Sequence, residues 1–383
     1  MIIAVNALSA VSGGGITYFT NILPALDRIS SEDQYVILIP RRCHFSPGSL
    51  SARIQLKRVT IPFSSPAYRV LYEQLALPFY LARSRADLLY SPTDISPFRT
   101  PCPVVLAMRN PTLFTDYKLP WKGAARARLA ILRWLSRISA RKAARIIFVS
   151  EASRRLVSRK LRLNPGKTVA VHHGINPDFG LPAGNAYGDK LPPLPARYLL
   201  AVSTIYSYKN FLNLIKAYQL LISRHDKNII PLVIVGGNQD PGYFRLMAEL
   251  IRKEDLHSRV ILTGNLAYAL APYIYSRAEI FIFPSYLETF GHPSLEAMIS
   301  GVPVAAARTG VMKEILGDAA LYFDPFSEEE MAEKIKILMD DAELRKRLIE
   351  KGKRRVKGFS WEVTARKTLA VFRQAYDNRH VTE

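Results

Sequence analysis

Only two cysteines, Cys43 and Cys102, occur in the 383 residues. That number excludes the disulfide framework of a small secreted domain and fits a reducing compartment. No Cys/His cluster has the spacing of a zinc site. No apolar run approaches the ~20 residues needed to span a bilayer. The opening segment Met1-Ile-Ile-Ala-Val-Asn-Ala-Leu has no basic n-region, so it reads as a first strand and not as a signal peptide. A cytoplasmic protein is therefore expected. The fingerprint G-x-G-x-x-G is missing, which argues against a dinucleotide cofactor. No D-x-D lies near a strand end, so no metal requirement is expected; no cofactor is expected either. There is no low-complexity tract and no short-period repeat.

Acidic residues are scarce in one half of the chain. Residues 1–180 carry 26 Lys and Arg against 9 Asp and Glu, and the remainder carries 27 against 23, within a net charge of +21. A basic half suggests a polyanionic partner: anionic lipid head groups, nucleic acid or a phosphorylated acceptor. Hydrophobic content of 49% and charged content of 22% mark a globular protein. The length suits two domains better than one core.

Short β-branched runs alternate with helical patterns, as βαβ architecture requires. The expected strands are 2–6, 35–40, 54–61, 86–90, 103–108, 145–149 and 168–172 in the first half. In the second half they are 198–202, 231–235, 259–263, 279–283, 302–307 and 320–323. A Gly/Pro-rich stretch between the halves can continue neither a helix nor a central strand, so residues 179–196 read as a linker. This gives domains at 1–178 and 197–360, both α/β. Helical segments follow at about 327–357 and 361–377, with Ser360 as a plausible N-cap.

The most informative run is Phe283-Pro-Ser-Tyr-Leu-Glu-Thr-Phe-Gly-His-Pro-Ser-Leu-Glu-Ala-Met-Ile-Ser-Gly-Val-Pro-Val. Glu288 falls on a loop after an apolar strand. Pro293 suits the first position of a helix, and Glu296 is then expected in its first turn. Open α/β sheets bind ligands in such a crevice. Two carboxylates there can accept hydrogen bonds from a polyhydroxylated ligand, and a helix N-terminus favours an anion such as phosphate. Taken alone, the pair reads equally as a solvated Glu288 and an ordinary helical Glu296.

The flanking Pro-Ser, the Glu-Thr-Phe-Gly core and the following Leu-Glu-Ala and Gly-Val-Pro-Val resemble the E-x7-E signature of family 4 glycosyltransferases, retaining enzymes of the GT-B fold. The resemblance covers nearly the whole chain and is strongest in the second half. It implies two doubly wound Rossmann-like domains facing each other across a cleft, with the final helix, 361–383, crossing back to the first domain. It also implies that Glu288 binds hydroxyls of the transferred sugar and Glu296 those of the ribose. The segment Thr289, Phe290 and Gly291 would then lie against sugar and phosphates.

Lys209, in Val202-Ser-Thr-Ile-Tyr-Ser-Tyr-Lys-Asn, follows the first strand of the second half and precedes a helix. It reads as a point charge for a diphosphate or as a surface lysine. With Ser203, Thr204 and Asn210 it is placed in the donor site. Many family members have an arginine at the position of Thr204 or Tyr208, so leaving-group stabilisation here rests on Lys209 or on another cation. Gly13-Gly14-Gly15 follows the first strand and opens a helix. It is a plain turn or, by the resemblance, a loop facing donor phosphate and acceptor through Gly14 and Gly15.

Other first-half residues are read by location. Where the family often has a histidine, this chain has Arg109 and Asn110. Arg109 could bind a phosphate or serve as a salt-bridged surface residue. Val149-Ser-Glu151-Ala-Ser-Arg154 and Val171-His172-His173-Gly174 look like family landmarks. Adjacent histidines on a strand would point to opposite faces, a poor metal pair, leaving one (His173) for a cleft. Glu314 matches a common family position or sits on a helix surface.

Residues 121–145 contain no acid. Arg126, Arg133, Arg137 and Arg141 share one helical face. Leu132, Leu135 and Ile138 form an apolar stripe with Trp134 at its edge. The apolar side is expected in the core and the arginines against lipid head groups.

These readings lead to an expected peripheral, cytoplasmic, retaining hexosyltransferase. It would move sugar from a nucleotide-sugar to a membrane-associated or glycan acceptor in polysaccharide or lipopolysaccharide-type synthesis, with Lys209 and Glu288 central to catalysis. A nucleotide-sugar epimerase of GT-B type and a catalytically silent glycan- or lipid-binding relative stay open. No nucleic-acid-binding module is recognisable.

Overall fold

The computed structural model describes residues 1–9, 14–41, 43, 50–61, 66–181, 193–225 and 229–380. Gly13 and most of the expected linker lie outside them. The chain forms two compact units. The first takes Met1–Asp116, Trp121–Gly174 and Phe359–Glu383; the second takes Tyr117–Pro120 and Ile175–Gly358.

The first unit is built on strands β1 (Ile2–Asn6), β2 (Gln34–Pro40), β3 (Ile54–Val59), β4 (Leu88–Ser91), β5 (Val104–Met108), β6 (Arg145–Phe148) and β7 (Thr168–Ala170). They form one sheet in the order β3-β2-β1-β4-β5-β6-β7, and every pairing is parallel. β4 and β5 are buried along their whole length. Strands covered by helices on both faces need no polar alternation, which is why they read as continuous apolar runs.

Helices α1 (Gly14–Ile29), α2 (Pro66–Arg83), α3 (Gly123–Lys142) and α4 (Glu151–Leu161) connect these strands. The chain runs outward from β1 to β3, then crosses back to β4. Right-handed crossovers therefore put α1 on one face and α2, α3 and α4 on the other.

The C-terminal helix Trp361–His380 packs beside α1. Its Trp361 and Phe372 join Ile3, Val5 and Ile22 in one core. The Trp361 ring lies 5.8 Å from Tyr18 and 5.6 Å from His173. Thr364 Oγ1 donates to the His172 carbonyl at 2.8 Å. The helix is thus built into the core of the first unit. Ser360 Oγ accepts from the Glu362 N–H at 3.1 Å at its start.

The second unit holds β8 (Tyr198–Val202), β9 (Leu232–Val235), β10 (Val260–Gly264), β11 (Ala278–Phe283), β12 (Val304–Ala307) and β13 (Ala320–Phe323). The order is β10-β9-β8-β11-β12-β13, again all parallel. Its helices are α5 (Phe211–His225), α6 (Pro241–Lys253), α7 (Ala271–Ser276), α8 (His292–Ile299), α9 (Gly310–Leu316), α10 (Glu328–Asp340) and α11 (Ala342–Val356).

Each expected strand is present, with ends moved by at most two residues. The helical segment expected at about 327–357 consists of two helices, Glu328–Asp340 and Ala342–Val356. Asp341 breaks it in an extended conformation, and its carboxylate accepts from the Leu344 N–H at 2.7 Å, so it caps the second helix.

Trp361→Ala removes a side chain only 6% exposed. It is expected to destabilise the first unit by ~3–5 kcal/mol. Urea unfolding followed separately in the two units should show the first transition shifted and the second unmoved.

Candidate functional site

The order of the second sheet reverses at its centre. From β8 the chain moves to β9 on one side, yet β8's other neighbour is β11. The segments leaving these two strands diverge, and a crevice opens at their C-terminal ends. Lys209 follows β8 and Glu288 follows β11, so neighbouring strands carry both to this place.

The two segments are tied together. The Tyr286 N–H donates to the Tyr208 carbonyl at 3.2 Å, and Ser285 Oγ donates to the same carbonyl at 3.3 Å. Asn210 has a left-handed backbone with φ +65°. Its buried amide donates to the Pro284 carbonyl at 3.2 Å and the Pro325 carbonyl at 2.6 Å. Asn210 thus holds the turn to its neighbours.

Upon this frame Lys209 Nζ donates to Glu288 Oε1. The two side chains are only 13% and 10% exposed. The ammonium also lies 5.3 Å from the centre of the Tyr208 ring. A charge removed from most of its water is electrostatically stronger than a surface lysine and keeps one position.

Ser203 is half-buried and Thr204 exposed at the start of the same turn. Gly236, after β9, approaches so closely that a Cβ would lie 1.8 Å from the Ser203 carbonyl oxygen.

After Glu288 the chain passes half-buried Thr289 and buried Phe290, whose ring centre is 4.8 Å from that of His292. Gly291 caps α8 with φ +92°, and a Cβ there would meet Met312 Cε at 2.6 Å. Both its conformation and its surroundings require glycine. Because Gly291 is the cap, α8 begins at His292, one residue before Pro293. Glu296 is then the fifth helical residue and lies in the second turn, not the first.

Glu296 is 6% exposed. Its Oε1 accepts from the Tyr268 hydroxyl at 3.1 Å and its Oε2 from the Tyr275 hydroxyl at 3.0 Å. Phe179 packs on both tyrosine rings, 5.6 Å from each. Burial pushes the Glu296 carboxyl up to about 7, against the two hydroxyls that pull it down. Near neutral pH it therefore exists in both forms and can accept from, or donate to, a neutral hydroxyl. Sequence reasoning missed Tyr268 and Tyr275, since no motif marks them and only folding brings them to Glu296.

The first unit has its own reversal between β1 and β4. Gly14 and Gly15 open α1 just after β1. Asp94, after β4, accepts from the backbone N–H of Arg109 at 3.0 Å and of Asn110 at 3.2 Å. Burial raises the Asp94 carboxyl to about 6. The Arg109 guanidinium stacks 4.2 Å from the centre of the Tyr18 ring. Asn110 Oδ1 accepts from Thr112 in a local turn, at 2.9 Å from its N–H.

β7 ends at Ala170, so the histidine pair lies beyond the strand and strand alternation does not apply to it. His173 is buried, its ring 5.0 Å from Tyr18. Glu151 ion-pairs with Arg154 and Arg155, and Glu314 is half-buried on α9.

On α3, Arg126, Arg133, Arg137 and Arg141 are exposed. The expected apolar stripe is corrected. Leu129, Ser136, Ser139 and Ala140 make the buried contacts, while Leu132, Leu135 and Ile138 are half-buried. Trp134, expected at the stripe's edge, is 59% exposed amid the arginines. The small residues at 136, 139 and 140 let the helix settle on that side, which turns Trp134 outward. Among the described residues no group of three or more His, Cys, Asp or Glu could hold a metal ion. Nor is any described helix long and apolar enough to cross a membrane.

Comparison with known proteins agrees with this arrangement. The family model "Glycosyltransferase Family 4" matches residues 12–179, and "Glycosyl transferases group 1" matches residues 189–355. O-antigen chain mannosyltransferase B of Escherichia coli is 30% identical over 178 residues, 46% of this chain and 45% of that protein. The matched stretch spans about half the length of such curated relatives. Among solved structures, a sucrose-phosphate synthase from Thermosynechococcus elongatus superposes with a TM-score of 0.77 at 19% identity, covering 99% of this chain and 100% of that one. Anabaena HepE in complex with UDP-glucose gives 0.74 at 17% identity, covering 98% and 100%. At these identities the likeness establishes the fold, which is GT-B.

Glu296 also makes stability depend on pH. Its folded pKa of about 7 exceeds the ordinary 4.5. Between those values the folded state holds the proton that the unfolded state has released, so this group's contribution falls as pH rises from 4.5 to 7. Thermal melts across that range should show wild type losing stability relative to Glu296→Gln, with no further relative loss above the window.

Proposed function

The chain belongs to the family 4 glycosyltransferases, glycosyl transferases group 1; from that premise we propose a retaining hexosyltransferase that takes sugar from a nucleotide-sugar. The acceptor is a membrane-associated or glycan hydroxyl of the polysaccharide or lipopolysaccharide type. The observation that carries this reading is the Lys209–Glu288 pair at the β8/β11 reversal, with Glu296 on the helix that follows.

Glu288 accepts hydrogen bonds from the transferred sugar while it fixes Nζ of Lys209. Glu296, oriented by Tyr268 and Tyr275, takes the ribose hydroxyls. Lys209 offsets the charge that grows on the departing diphosphate, an electrostatic role realised most fully in the transition state. Backbone amides near Phe290 and Gly291 lie against sugar and phosphate. The bond from the anomeric carbon to phosphate oxygen breaks. The acceptor oxygen bonds to the same face of that carbon, and its proton passes to the leaving phosphate oxygen. No metal takes part in this reading.

The basic first unit supports an acceptor at an anionic membrane, with the α3 arginines facing head groups on the cytoplasmic side.

Nucleotide release is to be measured from UDP-, GDP-, dTDP- and CMP-sugars in the presence of a bacterial lipid-linked glycan extract. One donor class is expected to react, with the product retaining the donor's anomeric configuration by NMR. Lys209→Ala should lower kcat by ~100-fold or more, and Glu296→Ala should abolish release. Conversion of donor into an isomeric sugar nucleotide without an acceptor would point to an epimerase. No release from any donor would support a silent relative.

A further inference from the structure

α2 carries a face that the proposed reaction does not use. Glu73, Leu77 and Leu81 point into the unit. On the opposite side Leu71, Leu75 and Phe79 recur every four residues and are 52%, 60% and 79% exposed. A helix normally turns its polar side outward, and an outward apolar stripe marks an interaction surface.

The stripe continues towards α3. Gln74 on α2 donates to the Ser96 carbonyl at 3.1 Å and accepts from the Phe98 N–H at 3.0 Å. Ser139 on α3 accepts from the Ser96 N–H at 3.0 Å. The segment between the helices is thus clamped to both, and Phe98 meets the edge of Trp134, with ring centres 6.3 Å apart. Beside Phe98 lies a cavity of about 400 Å³ that Arg99 and Lys142 help to line. The surface therefore passes from aliphatic side chains, through an exposed tryptophan, to a cluster of cations on α3, which has no acid along its length.

We infer that the α2–α3 face seats the protein on an anionic lipid bilayer, with Leu71, Leu75 and Phe79 inserted at the acyl boundary. Trp134 sits at the head-group level, and Arg99, Lys142 and the α3 arginines meet the lipid phosphates. The order apolar, amphipathic ring, cation matches the gradient from acyl chain to water. A second copy of the chain is a poorer occupant. An isologous contact would meet this same face, where α3 has no acid and Glu73 of α2 is buried, so it offers the arginines no countercharge. The inference rests on the proposed function only for the membrane location of the acceptor.

The test is flotation with vesicles of phosphatidylcholine, with and without ~30 mol% phosphatidylglycerol. Wild type should float with the anionic vesicles, and Leu75→Ser/Phe79→Ser should lose at least ~tenfold in partition. The neutral serines add no repulsion, so a loss reports the apolar face. Circular dichroism should show the variant folded, since both sites are exposed. Trp emission should shift to the blue on vesicle binding and be quenched by brominated lipid, and Trp134→Phe should remove most of the change. Three results would overturn the inference: partition unchanged in the double variant, no binding by wild type, or a wild-type dimer by light scattering that the double variant converts to monomer. Nucleotide release in the presence of the lipid-linked glycan extract is measured in parallel. Its failure beside intact flotation would sink the enzymatic reading alone, and the converse would sink only the membrane face.

Discussion

Two segments that leave neighbouring parallel strands in opposite directions share no continuous backbone ladder. They are held by one backbone hydrogen bond, Tyr286 N–H to the Tyr208 carbonyl, and by side chains, and the candidate site depends on those ties. Asn210 fastens the turn after β8 to the Pro284 and Pro325 carbonyls. The Tyr208 carbonyl accepts from the loop after β11. Only then do Lys209 and Glu288, both largely removed from water, meet as a pair. The hydrogen bonds set the frame, and the charges take their strength from it.

Glu296 shows the other way a buried carboxylate is managed. Lys209 and Glu288 neutralise each other, whereas Glu296 has two tyrosine hydroxyls and, among the described residues, no cation as hydrogen-bond donor. Neutral donors stabilise a carboxylate less than a charge does, so desolvation wins and its pKa rises. The two glutamates of one signature thus differ in chemistry: one is held in an ion pair, the other poised near neutrality.

In the first unit, charge and apolar surface are arranged together. The C-terminal helix covers the face that α1 shares, so the core there is complete. The opposite face carries α2 and α3, whose outward sides hold Leu75, Phe79 and Trp134 beside arginines. Electrostatics alone would draw this unit to any polyanion. In the membrane seating proposed above, the apolar stripe is what narrows the partner to one with an acyl interior.

The sequence by itself determined the strands, because parallel strands buried on both faces must be apolar throughout and punctuated by turns. It also determined the carboxylate spacing at 288 and 296 and the glycine at 291, whose backbone only glycine adopts without strain. It could not show that the helical segment at 327–357 breaks at Asp341, where one carboxylate and one N–H decide. Nor could it tell which side of α3 meets the core, where the small Ser136, Ser139 and Ala140 make the contacts and Leu132, Leu135 and Ile138 stay half-buried. The pairing of Lys209 with Glu288 and of Glu296 with Tyr268 and Tyr275 belongs to tertiary structure alone. Their separation along the chain carries no local signal; the strand order that makes β8 and β11 neighbours is what closes the first, and the packing of α7 against α8 brings Tyr275 to the second.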